Sequence, residues 1–247
     1  MSTFQTMLKT ELKLSLRGMD MLIFAICMPL IVLVILGMIY GDRPAFTGAD
    51  YTFLQQSFGA LVTISILAGG VMGLPLVVSE YRSKKILKRF KVTPVTPVML
   101  LLVQLVIYTL YAVASLLLLY LAASIFFNFQ LRGSWINFFA GYFLVILSIF
   151  SIGMMLGGLA PHPKLASVLA SLLYFPMLIF SGATLPYEVM PETLQRVADL
   201  MPLTQGIKLI KAASLGLEID SVFLPITIMG IVAVICIGFS IKFFKWE

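Results

Sequence analysis

Apolar residues in this chain come in long unbroken runs, not in the short alternations of a water-soluble fold. Six runs approach or exceed the roughly 20 residues a helix needs to cross a bilayer. They predict spans at about 21–40, 57–78, 99–127, 136–160, 165–183 and 222–243. The third is long enough to include a tilt or an interfacial portion. The fourth and fifth are parted only by Ala160-Pro161-His162-Pro163-Lys164, a tight turn that predicts an antiparallel pair. Ahead of the first run, Phe4, Leu8, Leu12 and Leu16 recur at helical spacing on one face, with Lys9, Lys13 and Arg17 on another. That pattern predicts an amphipathic interfacial helix over residues 4–17, or a simple basic anchor.

Composition narrows the class. Of 247 residues, 60% are hydrophobic and 11% charged, and the mean hydropathy is +1.05. A soluble domain carries about 25% charged residues, so there is too little polar surface here to cover a globule in water. The expected fold is an all-α integral membrane protein, a single transmembrane domain over residues 1–247. The net charge of +6 invites a nucleic-acid reading, but its distribution argues for topology instead. The N-terminal segment, the second-to-third connection, the fourth-to-fifth turn and the C-terminus together hold 12 of the 17 basic residues. Arg43, Arg132, Arg196, Lys208 and Lys211 fall on the other side. Basic loops stay inside. Both termini are therefore expected in the cytoplasm, in a multi-pass protein of a bacterial inner or cytoplasmic membrane, with lipid and no nucleic acid as surroundings.

Several chemistries are missing from the pattern. The spans hold essentially no Asp, Glu, Lys or Arg except at their ends, whereas ion-coupled pumps keep such groups inside at about 2.5–3.5 kcal/mol each. There is no GxxxxGK[ST] and no HExxH. Cys27 and Cys236 sit inside apolar runs without a partner at metal-ligand or redox spacing. His162, the one histidine, lies between two prolines and is expected to be structural. The first run ends in Ile39-Tyr40-Gly41-Asp42 with no small-residue cleavage site, so it is expected to be retained. No catalytic, cofactor-binding or metal-ligating residue is assigned, and no enzyme activity is expected of this chain.

The stretch from Ser79 to Pro97 holds most of the information. Ser79 suits a helix N-cap, and Glu80 its first turn. Glu80 and Lys84 stand at i,i+4 in the favourable order. Ile86, Leu87 and Phe90 form an apolar strip, and Thr93-Pro94 ends the helix. The residues alone fit either a docking helix between the second and third spans or an interfacial helix with positive-inside charge. Glu80, the basic helix and Thr93-Pro94-Val95 resemble the coupling-helix region of ATP-binding-cassette type-2 permeases. Ser181-Gly182-Ala183-Thr184-Leu185-Pro186, Met190-Pro191 and Met201-Pro202-Leu203-Thr204 are similar to that family's segment after the fifth span, and Lys208 to Gly216 continues the likeness.

The resemblance covers essentially the whole chain. It implies the membrane permease subunit of an exporter, paired with a second copy or a sister permease and with a separate cytoplasmic ATPase that uses ATP and Mg. It implies that Glu80, Tyr81, Arg82, Lys84, Ile86, Leu87 and Phe90 belong to the helix that couples to that ATPase. It also puts the fifth span, with Ser167, Ser171 and Tyr174, near the translocation path. Such mild polarity suits an amphipathic or hydrophobic cargo: a drug, a lipid or an antimicrobial peptide. A non-transporting membrane scaffold or sensor subunit is the competing reading.

Two further patterns complete the expectation. Between the fifth and sixth spans, Pro191-Glu192 starts one short helix that Pro202 ends, and Leu203, Ile207 and Ile210 lie on one face of a second. The resemblance makes these a pair dipping into the outer leaflet; an ordinary amphipathic loop is the alternative. Gly153 and Gly157 form a GxxxG, which permits close backbone approach, inside the subunit in preference to a dimer seam. Pro29 and Pro176 can kink the first and fifth spans.

Overall fold

The computed structural model describes residues 3–41, 43–46, 48–86, 96–181, 187, 190–217 and 223–243. Among the described residues, six helices are long and apolar enough to cross a membrane: Leu22–Tyr40, Phe53–Ser83, Val98–Phe127, Trp135–Leu159, Pro163–Phe180 and Phe223–Lys242. The six predicted spans match them, and local chemistry sets the ends. Thr52 and Gln55 form a capping box, with Gln55 N–H donating to Thr52 Oγ1 at 3.2 Å and Thr52 N–H to Gln55 Oε1 at 3.0 Å. The second span accordingly starts at Phe53, ahead of the predicted start near residue 57. Thr96 caps the third span through Met99 N–H at 3.3 Å. His162 caps the fifth, its Nδ1 accepting from Leu165 N–H at 3.2 Å, which is the structural role expected of it.

The second span forms the centre of the bundle, with 83% of its apolar window buried against 22% for the first and 17% for the fifth. Glycines of the fourth span explain how closely it packs on the second. A Cβ on Gly153 of the fourth span would stand 1.8 Å from the Gly70 carbonyl oxygen, and one on Gly157 would meet Val78 at 2.8 Å. The GxxxG thus packs within the subunit. The fifth span follows the fourth through the tight turn but packs chiefly on the lower part of the second.

The first and second spans are each interrupted by a π-turn, at Leu22–Cys27 and Ala68–Gly73. Met28 N–H donates to Ile23 O and Leu74 N–H to Gly69 O, both i→i−5. Each turn is followed one residue later by a proline, Pro29 or Pro75. In a regular helix the proline ring clashes with the carbonyl four residues back; a wide turn just ahead of it relieves the clash. The irregularity expected at Pro29 takes this form, and Pro75 repeats it.

The N-terminal helix runs Thr3–Gly18. Phe4, Met7, Leu8 and Leu12 pack on Val103, Ile107 and Tyr111 of the third span, and Ser15 Oγ lies 3.0 Å from Tyr111 Oη. Its apolar face is therefore docked on protein. Leu16 does not share that face and is 46% exposed. A spacing of four over-rotates by about 40° per step on a 3.6-residue helix, so three steps carry Leu16 about a third of a turn away from Phe4.

Two short helices, Glu192–Asp199 and Pro202–Leu215, follow the fifth span. Leu203, Ile207 and Ile210 share one buried face, but Gln205, Leu209 and Ala212 on the other faces are buried too. The second short helix is not a half-exposed amphipath: it is wedged among the second, fourth and sixth spans. Small residues admit it, with Gly59 against Lys211, Gly141 against Leu209 and Gly206 against Val145. One of its last carbonyls, Ser214 O, accepts from the N–H groups of both Arg132 and Gly133, at 3.0 and 3.2 Å.

Candidate functional site

Ser79 does not cap a separate helix. It is fully buried in the last turns of the second span, its hydroxyl donating to Leu76 O at 2.9 Å. The helix runs on through Ser83 because Ser79 satisfies itself on that carbonyl and nothing before Lys84 disfavours helix. It breaks at Lys84–Lys85, where Lys85 takes φ +53°. Glu80, Tyr81 and Arg82 therefore ride the end of a membrane span, and the following segment starts at Ile86. Leu87 and Phe90 lie outside the described residues, as do Thr93-Pro94-Val95 and Gly182 to Pro186. At about 1.5 Å per residue, the 31 residues of Phe53–Ser83 reach about 46 Å. That exceeds the roughly 30 Å hydrocarbon core, so the basic end of this helix can project beyond it.

That end is tied to three other elements. Tyr81 Oη donates to Glu11 Oε2 of the N-terminal helix at 2.5 Å. Gln104 of the third span, 4% exposed, donates from Nε2 to Glu11 Oε2 at 2.9 Å and to Tyr81 Oη at 2.7 Å. The carboxylate thus accepts two bonds from partners that also bond one another, and hydrogen bonds to charged groups contribute about 1.5–3 kcal/mol each. Arg82 reaches the other way, its guanidinium donating to Gly158 O in the last turn of the fourth span at 2.8 Å. The negative end of that helix suits a cation there. Glu80 pairs with Lys84 as the spacing predicts; both are exposed, so the pair adds only about 0.3–0.5 kcal/mol.

Of the residues assigned to coupling, Tyr81 and Arg82 are therefore turned inward as fasteners, while Glu80 and Lys84 face outward. Ile86 is half-buried. Sequence reasoning missed Glu11 and Gln104. Both left a faint signal: Glu11 is the one acid in an otherwise basic helix, and Gln104 is an amide inside an apolar run.

Ser167, Ser171 and Tyr174 lie on successive turns of one half-buried strip of the fifth span. They border Ala166, Ala170 and Met177, which are buried. They are not joined to the Glu11 cluster, and none lines the three cavities described next. An apolar crevice of about 590 Å³ opens between the third, fourth and sixth spans, bounded by Leu101, Leu105, Phe150 and Ile237. One of about 470 Å³ lies beside Asn137, Leu209 and Ile226. A third, of about 120 Å³, sits at the start of the second span against the second short helix.

Beside this third cavity is a second polar cluster. Tyr187 Oη donates to the Asp199 carboxylate (3.0 and 2.9 Å to its two oxygens), and Lys208 Nζ pairs with Asp199 Oδ1 at 2.6 Å. Lys208 also stands 4.0 Å from the centre of the Tyr187 ring, close enough for a cation–π contact. Gln205 Nε2 donates to Asp199 O at 2.6 Å, which ties the two short helices together. Burial, then the bond to Asp199, raises the Tyr187 phenol above its ordinary pKa, with Lys208 opposing.

Residues 2–215 match the family described as ABC-2 type transporter. Curated relatives include Nodulation protein J of Rhizobium leguminosarum bv. viciae, 35% identical over 89 residues, which are 36% of this chain and 34% of that protein. Nodulation protein J of Neorhizobium galegae is 36% identical over 78 residues, 32% of this chain and 30% of the relative. That of Bradyrhizobium diazoefficiens is 30% identical over 95 residues, 38% and 36% of the two chains. The chain spans about a third of the length of the curated relatives it matches.

Proposed function

Because the chain belongs to the ABC-2 type transporter family, we propose that it is the permease subunit of an ATP-driven exporter. In this reading a separate cytoplasmic ATPase uses ATP and Mg, and the permease works as a pair, with a second copy or a sister permease. The basic ends of the spans face the cytoplasm, and the N-terminal helix lies along the inner membrane surface. The cargo is amphipathic or hydrophobic, since the described spans offer hydroxyls and amides but no buried ionised group.

One observation carries this reading: the basic end of the second span is fastened to the N-terminal helix, the third span and the fourth span at once. An ATPase docking on the segment after Lys85 would push on a helix end that three neighbours must follow. Rigid-body transmission of this kind needs stiff elements joined by specific contacts. Glu11–Tyr81–Gln104 and Arg82–Gly158 supply those contacts. The likeness to Nodulation protein J supports the permease assignment without selecting a cargo.

The test is co-purification with the ATPase, followed by cargo-stimulated hydrolysis and transport in liposomes. Glu80→Ala combined with a polar substitution at Leu87 is expected to leave assembly intact and to uncouple hydrolysis from transport. Full transport by that variant contradicts the coupling assignment. A chain that purifies alone and never stimulates ATP turnover favours a scaffold or sensor.

A further inference from the structure

The small cavity at the start of the second span has the character of a binding site. One face of the second short helix lines it: Thr204, Ile207, Lys208 and Lys211 fall at spacings of three and four, opposite Phe53 and Ser57. Thr204 is 1% exposed, and its Oγ1 has no hydrogen-bond partner among the described residues. A buried hydroxyl left unpaired is unfavourable, and a ligand oxygen in this cavity would satisfy it. Thr204 also stands in the first turn of its helix. Met201 supplies no side-chain cap there, and the first turn holds no acidic residue. The cavity runs along the side of this helix, with Lys208 one turn on from Thr204.

We propose that this cavity binds a compact oxyanion, phosphate or carboxylate, carried as the headgroup of a single-chain amphiphile. Lys208 and Lys211 supply the positive potential, and Thr204 Oγ1 supplies a directed donor. Phe53 and Ile207 supply apolar wall for the start of the chain. The volume of about 120 Å³ is well below the roughly 300 Å³ of a drug-sized pocket: it fits a headgroup, with the tail lying outside. Asp199 competes for Lys208 through their ion pair, so an arriving anion must share or displace it. That the site serves exported cargo, on the outer side, rests on the exporter reading; the binding itself does not.

The test uses the full chain in nanodiscs of neutral phosphatidylcholine, titrated with dodecyl phosphate, dodecyl maltoside and inorganic phosphate. Dodecyl phosphate is expected to bind about tenfold or more tighter than dodecyl maltoside, since charge-assisted bonds are about twice as strong as neutral ones. Thr204→Val, which keeps the side-chain shape, and Lys208→Gln should each weaken it several-fold, while Asp199→Asn should tighten it. Equal affinity for the phosphate and maltoside amphiphiles overturns the site, as does indifference to both Thr204→Val and Lys208→Gln. Inorganic phosphate binding as tightly as dodecyl phosphate overturns the amphiphile as the source. Selective binding without any stimulation of the partner ATPase supports the site and contradicts the exporter reading.

Discussion

A single missing side chain sets how near the second and fourth spans approach. Adding a methyl group at Gly153 would place carbon 1.8 Å from the Gly70 carbonyl oxygen, with backbone on both sides and no flexible side chain to yield. Overpacking of this kind costs about 1–3 kcal/mol, and more where nothing can move. Gly153→Ala is expected to lower the thermal midpoint in detergent, while Gly238→Ala, whose Cβ meets nothing within 4 Å, should leave it unchanged. Equal midpoints for the two variants would show that the spans separate freely. The GxxxG was legible in the sequence, and its use inside the subunit was the preferred expectation. Its partner, Gly70, was not legible, because nothing in a string of letters says which apolar helix lies opposite. Glu11 and Gln104 were missed for the same reason: each is one polar residue whose meaning depends on the other and on Tyr81.

Between residues and bundle, the second span is the element that connects the two ends of the molecule. Its π-turn at Ala68–Gly73 adds a residue to the helical turn ahead of Pro75, and so sets the rotation of everything from Leu74 to Ser83. Deleting Met72 would return the turn toward regular helix and rotate the lower segment by about 100°. Tyr81 would then leave Glu11, Arg82 would leave Gly158, and Val78 would leave Gly157. We expect the deletion to abolish coupling and to loosen the N-terminal helix, read as faster amide exchange over Thr3–Gly18. Unchanged exchange there would mean that the helix is held by Phe4, Leu8 and Leu12 alone. Spans were readable from sequence because length and hydropathy decide them. The π-turns were not, since Pro29 announces an irregularity without its kind. The end of the second span was misread because Ser79 has two uses, as a cap or bonded back to its own helix, and only burial distinguishes them.

At the scale of the whole molecule, burial is uneven in a way that fits a paired permease. Val168, Leu172, Phe175 and Ile179 make an exposed apolar stripe along the fifth span, and Ile31, Ile35 and Met38 make another on the first. Lipid can cover such faces, and so can a partner. Single cysteines at Val168 or Leu172, with Cys27 and Cys236 replaced by serine, are expected to form cross-linked dimers in native membranes. Cysteines at Leu117 or Leu121 on the third span, also exposed, should not. Cross-linking confined to the third-span positions would put the partner on another face. Six spans and their charge asymmetry were legible in the apolar runs and the basic residues between them; the two polar clusters were not, because one joins Glu11, Tyr81 and Gln104 from distant parts of the chain and the other depends on how two neighbouring short helices fold against each other.

In the proposed mechanism, motion enters the bundle through the fastened end of the second span. Tyr81→Phe removes one hydroxyl, keeps the ring, and leaves Gln104 still able to hold Glu11. The direct measurement is the ratio of cargo transported to ATP hydrolysed, in liposomes holding the permease with its ATPase, for wild type, Tyr81→Phe and Glu11→Gln. Each variant is expected to assemble normally, to retain ATP hydrolysis and to lower that ratio, by about fivefold or more if a bond of about 1–2 kcal/mol is lost from the coupled state. An unchanged ratio in both variants would contradict that mechanism.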